Sequence, residues 1–119
     1  MAKHLGKPES LRQKKINSVL REKISQIILE ERFTGLTGLV TIHAVATTAD
    51  LREAKVWFSS VGQDPEEVLN ILKTHLYEIQ GRLYQKSETR IVPKITFYID
   101  SSEEFSSHIN QVISKLDDG

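Results

Sequence analysis

The sequence predicts a single α+β domain in the order α-β-β-α-α-β-α, with a small three-stranded sheet covered by helices. Three observations predict it. Apolar residues recur at three- and four-residue spacing along residues 11–32, 65–81 and 103–116. They alternate with polar ones along residues 39–47, 53–59 and 94–99. The 119 residues make one domain's worth of chain, able to bury about two-thirds of the surface that the unfolded chain exposes. No internal repeat, low-complexity stretch or linker interrupts them. Residues 1–10 read as a flexible basic N terminus, 11–116 as the folded domain and 117–119 as a frayed end.

The first helix covers residues 11–32, with Ser10 as N-cap and Ile16, Val19, Leu20, Ile24, Ile27 and Ile28 as its stripe. Lys14 and Arg21, seven residues apart, share an exposed face. In the first strand Val40, Ile42 and Ala44 oppose Thr41, His43 and Val45; in the second, Ala54, Val56 and Phe58 oppose Lys55, Trp57 and Ser59. The short join at residues 48–52 predicts an antiparallel hairpin. Asp64, Pro65, Glu66 and Glu67 then spell a helix start: a cap, a proline at the first position and acids against the dipole. Val68, Leu69, Leu72, Leu76 and Ile79 continue the stripe to Gly81, where the pattern breaks and resumes over residues 82–88. Pro93 opens a third strand with Ile95, Phe97 and Ile99 on one side. Ser101, Ser102, Glu103 and Glu104 begin a last helix on the stripe Phe105, Ile109, Val112, Ile113 and Leu116.

Formal net charge is zero, but the charges are segregated. Residues 1–23 carry a net +5 and residues 82–94 a net +3, while 24–81 and 95–119 each carry −4. Two basic segments on an otherwise acidic surface are the footprint of a polyanion-binding face, or of two solvated helix faces. The absence of cysteine excludes disulfides, thiolate metal sites and thiol catalysis. No apolar run approaches the ~18 residues of a membrane span, and MAKHLGKPES lacks the apolar stretch of a signal peptide, so the expected compartment is the cytoplasm.

Little in the chain suggests catalysis. His4, His43, His75 and His108 fall on four elements without ligand spacing, so no metal or cofactor is expected. The acidic pairs at residues 66–67 and 103–104 sit at helix starts, where the dipole accounts for them. Neither GxSxG, GxxxxGK[ST] nor GxGxxG occurs. Gly35-Leu36-Thr37-Gly38 spells the GxxG with which KH domains clamp a nucleic-acid backbone, but it joins a helix to a strand and reads as a turn.

Two longer motifs carry a resemblance. Asp50-Leu51-Arg52-Glu53-Ala54-Lys55-Val56 matches DLxxAKV, and residues 90–100, from Arg90 through Pro93 and Phe97 to Asp100, match RxxPxLxFxxD. At this separation, and inside this order of elements, they resemble the ribosome-binding factor A family over about residues 14–116. The resemblance implies a type II KH-like fold whose clamp loop is reduced to a helix kink, here Ile79-Gln80-Gly81. Ile79 stands for the family's usual alanine, and Tyr84 stands where arginine is common. The stretch from Gly81 to Pro93 is about one helical turn short, and Glu30-Glu31-Arg32-Phe33 replaces the usual Asp-Pro-Arg.

The motifs themselves read as structure: Leu51 plugs a turn, while Ala54, Val56 and Phe97 are core. What the resemblance implies for function is a non-enzymatic assembly factor. It would bind the immature small ribosomal subunit through 16S rRNA and assist its late maturation, including 5′-end processing. The expected partner list holds no membrane and no small-molecule substrate, and the chain is expected to be a monomer. Expected phosphate contacts are Arg12, Lys14, Lys15, Arg21 and Lys23, then Arg82, Lys86, Arg90 and Lys94, with Gly81 allowing close backbone approach. Lys55, Trp57 and His43 share a face that could stack on bases, although Trp57 better suits packing under the last helix or a neighbouring loop. A KH-like RNA-binding module outside ribosome assembly and a protein–protein adaptor remain the alternatives.

Overall fold

The computed structural model describes residues 9–88 and 91–100. Along them run α1 (Leu11–Glu31), β1 (Leu39–Thr47), β2 (Glu53–Val61), α2 (Pro65–Thr74), α3 (Leu76–Lys86) and β3 (Lys94–Ile99). The strands form one sheet in the order β1-β2-β3, with β1 antiparallel and β3 parallel to β2. A parallel neighbour needs a long crossover, and α2 with α3 supplies it. The expected order is met from the first helix to the third strand; the expected last helix lies outside the described residues.

Ser10 and Gln13 cap α1 reciprocally. Ser10 Oγ accepts from the Gln13 N–H at 3.1 Å, and Gln13 Oε1 accepts from the Ser10 N–H at 3.0 Å, so two otherwise unpaired donors are satisfied. Leu20, Ile24, Ile27 and Ile28 are buried, as their spacing requires. Val19 departs from the expectation: it is 46% exposed, and Asn17 takes a buried position instead. Asn17 Oδ1 accepts from both the Thr47 N–H (3.1 Å) and the Thr47 hydroxyl (2.8 Å), and its amide donates to Glu9. Gln13 Nε2 adds a bond to the Thr47 carbonyl at 3.0 Å, so α1 is clasped to the end of β1 by polar groups as well as by its stripe.

The β1–β2 hairpin contains one irregularity the alternation did not predict. A bulge between Ile42 and Ala44 inserts His43, so the inward positions run Val40, Ile42, Val45, Thr47. Ala44 therefore shares the outer face with Trp57, its cross-strand partner, and Val45 joins the core opposite Val56. At the turn Leu51 adopts φ +60, in the left-handed region, and is buried. That conformation costs about 1–2 kcal/mol, which burying a leucine side chain offsets at about 1.5–3 kcal/mol. Asp50 Oδ1 closes the turn by accepting from the Thr48 hydroxyl (2.7 Å) and the Arg52 N–H (3.1 Å). β2 continues to Val61, two residues past its expected end.

The helical crossover breaks at His75, not at Ile79-Gln80-Gly81 as expected. His75 ends α2 and starts α3 with φ −100, ψ 16; its ring stacks on Phe33 at 4.6 Å, and its Nδ1 lies 3.0 Å from Glu78 Oε1. A contact to the loop after α1 thus coincides with the break, whereas Gly81 keeps helical geometry inside α3. Ile79 is fully buried. Gln80 is a clasp: its Nε2 donates to the Pro93 carbonyl (3.1 Å) and its Oε1 accepts from the Ile95 N–H (2.6 Å), tying α3 to the start of β3.

One core joins all six elements. Ile24 and Ile27 of α1 meet Val56, Phe58, Ile95 and Phe97 of the sheet, with Val68, Leu72, Ile79 and Leu83 from the crossover. The outer sheet face carries Thr41, His43, Lys55, Trp57, Ser59, Thr96 and Tyr98.

Candidate nucleic-acid interface

The structure divides the first basic group between two flanks of α1. At about 100° per residue, Arg12, Lys15, Val19 and Lys23 fall in one row, while Lys14 and Arg21 lie roughly half a turn round the helix. Arg12, Lys14, Lys15 and Arg21 are exposed, and none makes an ion pair among the described residues. Lys23 differs. It is half-buried, and its Nζ donates to the Lys86 carbonyl at the end of α3, where a cation satisfies an otherwise unpaired helix-end acceptor.

The second basic group is partly committed. Arg82 Nε lies 3.4 Å from Glu31 Oε1, and Lys86 Nζ lies 3.2 Å from Glu30 Oε1, because α3 packs antiparallel to the end of α1. Partly exposed pairs of this kind are worth about 0–1 kcal/mol, so a phosphate could exchange for either carboxylate at small cost. Lys94 is exposed at the start of β3, and Arg90 lies outside the described residues. A Cβ added to Gly81 would meet nothing within 4 Å, so this exposed stretch of α3 is open to a close approach.

Between the Arg12–Lys23 row and the chain that follows α3 lies a groove of about 410 Å³. Ile16, Val19 and Leu20 form one apolar wall, and Leu83, Val92 and Pro93 the other, with Leu51 and Ile91 completing the lining. Arg12, Lys15 and Lys23 stand at its rim with Glu88 and Ser87 opposite. Helical periodicity places Val19 on the buried stripe, whereas the fold exposes it beside the cations that line the groove.

The outer sheet face is built as a stack. Trp57 lies against Tyr98 (ring centroids 5.8 Å apart), and Lys55 Nζ sits 5.9 Å above the Tyr98 ring. Trp57 is buried at 5% exposure, so Tyr98 and Lys55 present more of this face to solvent than the indole does. At the bulge, His43 Nε2 meets Ser59 Oγ at 2.5 Å, and Nδ1 lies 3.9 Å from the buried Asp100 carboxylate.

The GxxG segment is a turn, as expected, and Gln63 holds it. Gln63 Oε1 accepts from the N–H groups of Thr37 (2.9 Å) and Gly38 (3.2 Å), and its Nε2 donates to the Gly35 carbonyl (2.7 Å). The donors that would bind a phosphate are already engaged. A Cβ at Gly38 would come within 2.5 Å of the Val61 carbonyl, which is why glycine stands there. Among the described residues no group of three or more histidine, aspartate or glutamate side chains could hold a metal ion.

Fold and surface together define an α+β domain in the element order expected of a type II KH-like fold, with exposed cations along its first helix that make no ion pair among the described residues. The sequence model of the ribosome-binding factor A family matches residues 12–113, and the chain belongs to that family. Its curated relatives include ribosome-binding factor A of Bdellovibrio bacteriovorus, 31% identical over 87% of this chain and 78% of the relative. That of Clostridium novyi is 35% identical over 86% and 87%. Among solved structures, the crystal structure of ribosome-binding factor A from Thermus thermophilus aligns with a TM-score of 0.66 at 18% identity, covering 73% of this chain and 94% of that one. A homology model of the Thermus thermophilus factor, fitted into a cryo-electron-microscopy map of a complex with the 30S subunit, aligns at 0.59 and 18% identity, over 71% and 91%. At these identities the structural likeness speaks for the fold.

Proposed function

We propose that this chain is a non-enzymatic ribosome assembly factor. It binds the immature small subunit through 16S rRNA and assists late maturation, including processing of the rRNA 5′ end. It acts as a cytoplasmic monomer. The observation that carries this reading is the conjunction of family membership with four exposed cations on α1 that no carboxylate of the described chain engages. Support also comes from the related Thermus thermophilus factor, which was fitted into a map of its complex with the 30S subunit.

On this reading α1 lies against the RNA backbone. Arg12, Lys14, Lys15 and Arg21 supply sequence-independent phosphate contacts, and Arg82, Lys86, Arg90 and Lys94 extend them. Each contact releases counterions, so log affinity falls with log salt by roughly 0.7–0.9 per phosphate contact. Sucrose-gradient fractionation of lysate at low and moderate salt tests the reading. Comigration with free small subunits, absence from translating ribosomes and release by salt are the expected results. Recovery only at the top of the gradient at both salts would sink the proposal and favour a protein–protein adaptor.

A further inference from the structure

The proposed phosphate contacts leave the groove between α1 and the chain after α3 without a role. A phosphate backbone satisfies its cationic rim but not its floor. Val19 and Ile91, at 46% and 60% exposure, keep apolar surface facing water there. At about 410 Å³ the groove falls within the roughly 300–1,000 Å³ range of clefts that hold small-molecule ligands. It is also lined by no residue of α2 or of the His75 junction, so it is separate from the place where a KH clamp would stand.

We infer that this groove takes one unpaired nucleotide of the bound RNA, with the base on the apolar walls and its phosphates on Arg12 and Lys15. The inference rests on the RNA-binding reading above and specifies what that RNA must contain. An A-form duplex keeps its bases stacked and offers mainly phosphates and 2′-hydroxyls, whereas a looped or bulged base offers two apolar faces. Charge points the same way. Arg12 and Lys15 are themselves two of the proposed phosphate contacts, so the groove opens directly beside the phosphates held on that row of α1. Glu88, an acid lining the groove, repels a phosphate but accepts from the exocyclic amino group of a base.

Three hairpin RNAs, identical except at one position, test this with the full chain. One is fully paired, one has a single unpaired cytosine, and one has an abasic site in place of that cytosine. Affinities are measured for the unchanged protein, for Val19→Ser, and for Leu29→Ser, an exposed α1 position outside the groove. Burying the apolar faces of the base against aliphatic walls predicts a preference on the order of tenfold for the unpaired cytosine over both other RNAs. That preference should be lost in Val19→Ser and kept in Leu29→Ser. Equal binding of all three RNAs by the unchanged protein overturns the nucleotide site while leaving the phosphate contacts standing. Absence of binding to any of them overturns both readings. If the RNAs bind equally but an acidic amphipathic peptide binds in a Val19-dependent way, the groove is a peptide site and the inference is wrong.

Discussion

Asn17 is a polar residue on the inward face of α1, and its side-chain oxygen serves two donors of Thr47 at once. Asn17→Ala leaves a buried N–H and a hydroxyl without their acceptor. Denaturant titration should show a loss of about 1–3 kcal/mol. Gly81 makes the opposite case. Alanine there meets no atom within 4 Å and removes a helical glycine, so Gly81→Ala should stabilise the domain by about 0.8–1 kcal/mol. If RNA closes on this stretch of α3, the same variant binds small subunits more weakly, so the two measurements move in opposite directions. Asp50 provides a pH signature. The Thr48 hydroxyl, then the Arg52 N–H, hold its carboxyl below the ordinary 3.8. A depressed folded value means that the turn's contribution is complete above about pH 3.8 and is lost as pH falls through the lower folded value. Carboxylate titration followed by NMR should give Asp50 a midpoint below that of a peptide aspartate, and Thr48→Val should bring it back up.

At the scale of elements, α1 presents two cationic rows that a linear count of charges merges into one. Charge reversal therefore separates them. Arg12→Glu with Lys15→Glu removes the groove-side row, and Lys14→Glu with Arg21→Glu the opposite one, all at exposed positions where folding should be unaffected. Filter binding at several salts should show the salt slope falling by about one unit per lost phosphate contact. A double variant with unchanged slope takes its row out of the interface. Most element boundaries were legible because caps and periods are local: Ser10, Asp64-Pro65 and Pro93 each mark a start that the structure reproduces. The misreadings share a cause. The His43 bulge is a product of strand pairing, which strict period-two reading does not contain. Glycine's low helix propensity favours a break at Gly81, but the helices part at His75, whose ring stacks on Phe33, 42 positions away and invisible to local propensity.

For the molecule as a whole, segregation of charge along the chain was the visible part of the candidate site, and pairing in space was the hidden part. Nothing local says that Arg82 and Lys86 meet Glu31 and Glu30, because that follows from antiparallel packing of α3 on α1. The groove was hidden for the same reason, since Val19 fits the helical stripe yet points outside it. Among the described residues, the exposed cations of α1 make no ion pair, whereas Arg82 and Lys86 of the second basic segment are engaged in weak ones.

The most direct measurement of the central claim is cosedimentation of the purified chain with immature and mature small subunits at two salt concentrations, beside the variant carrying all four α1 charge reversals. The account predicts salt-sensitive pelleting that favours immature subunits and is lost in the variant, while the variant's thermal unfolding is unchanged. Equal pelleting of a folded variant, insensitive to salt, would contradict it.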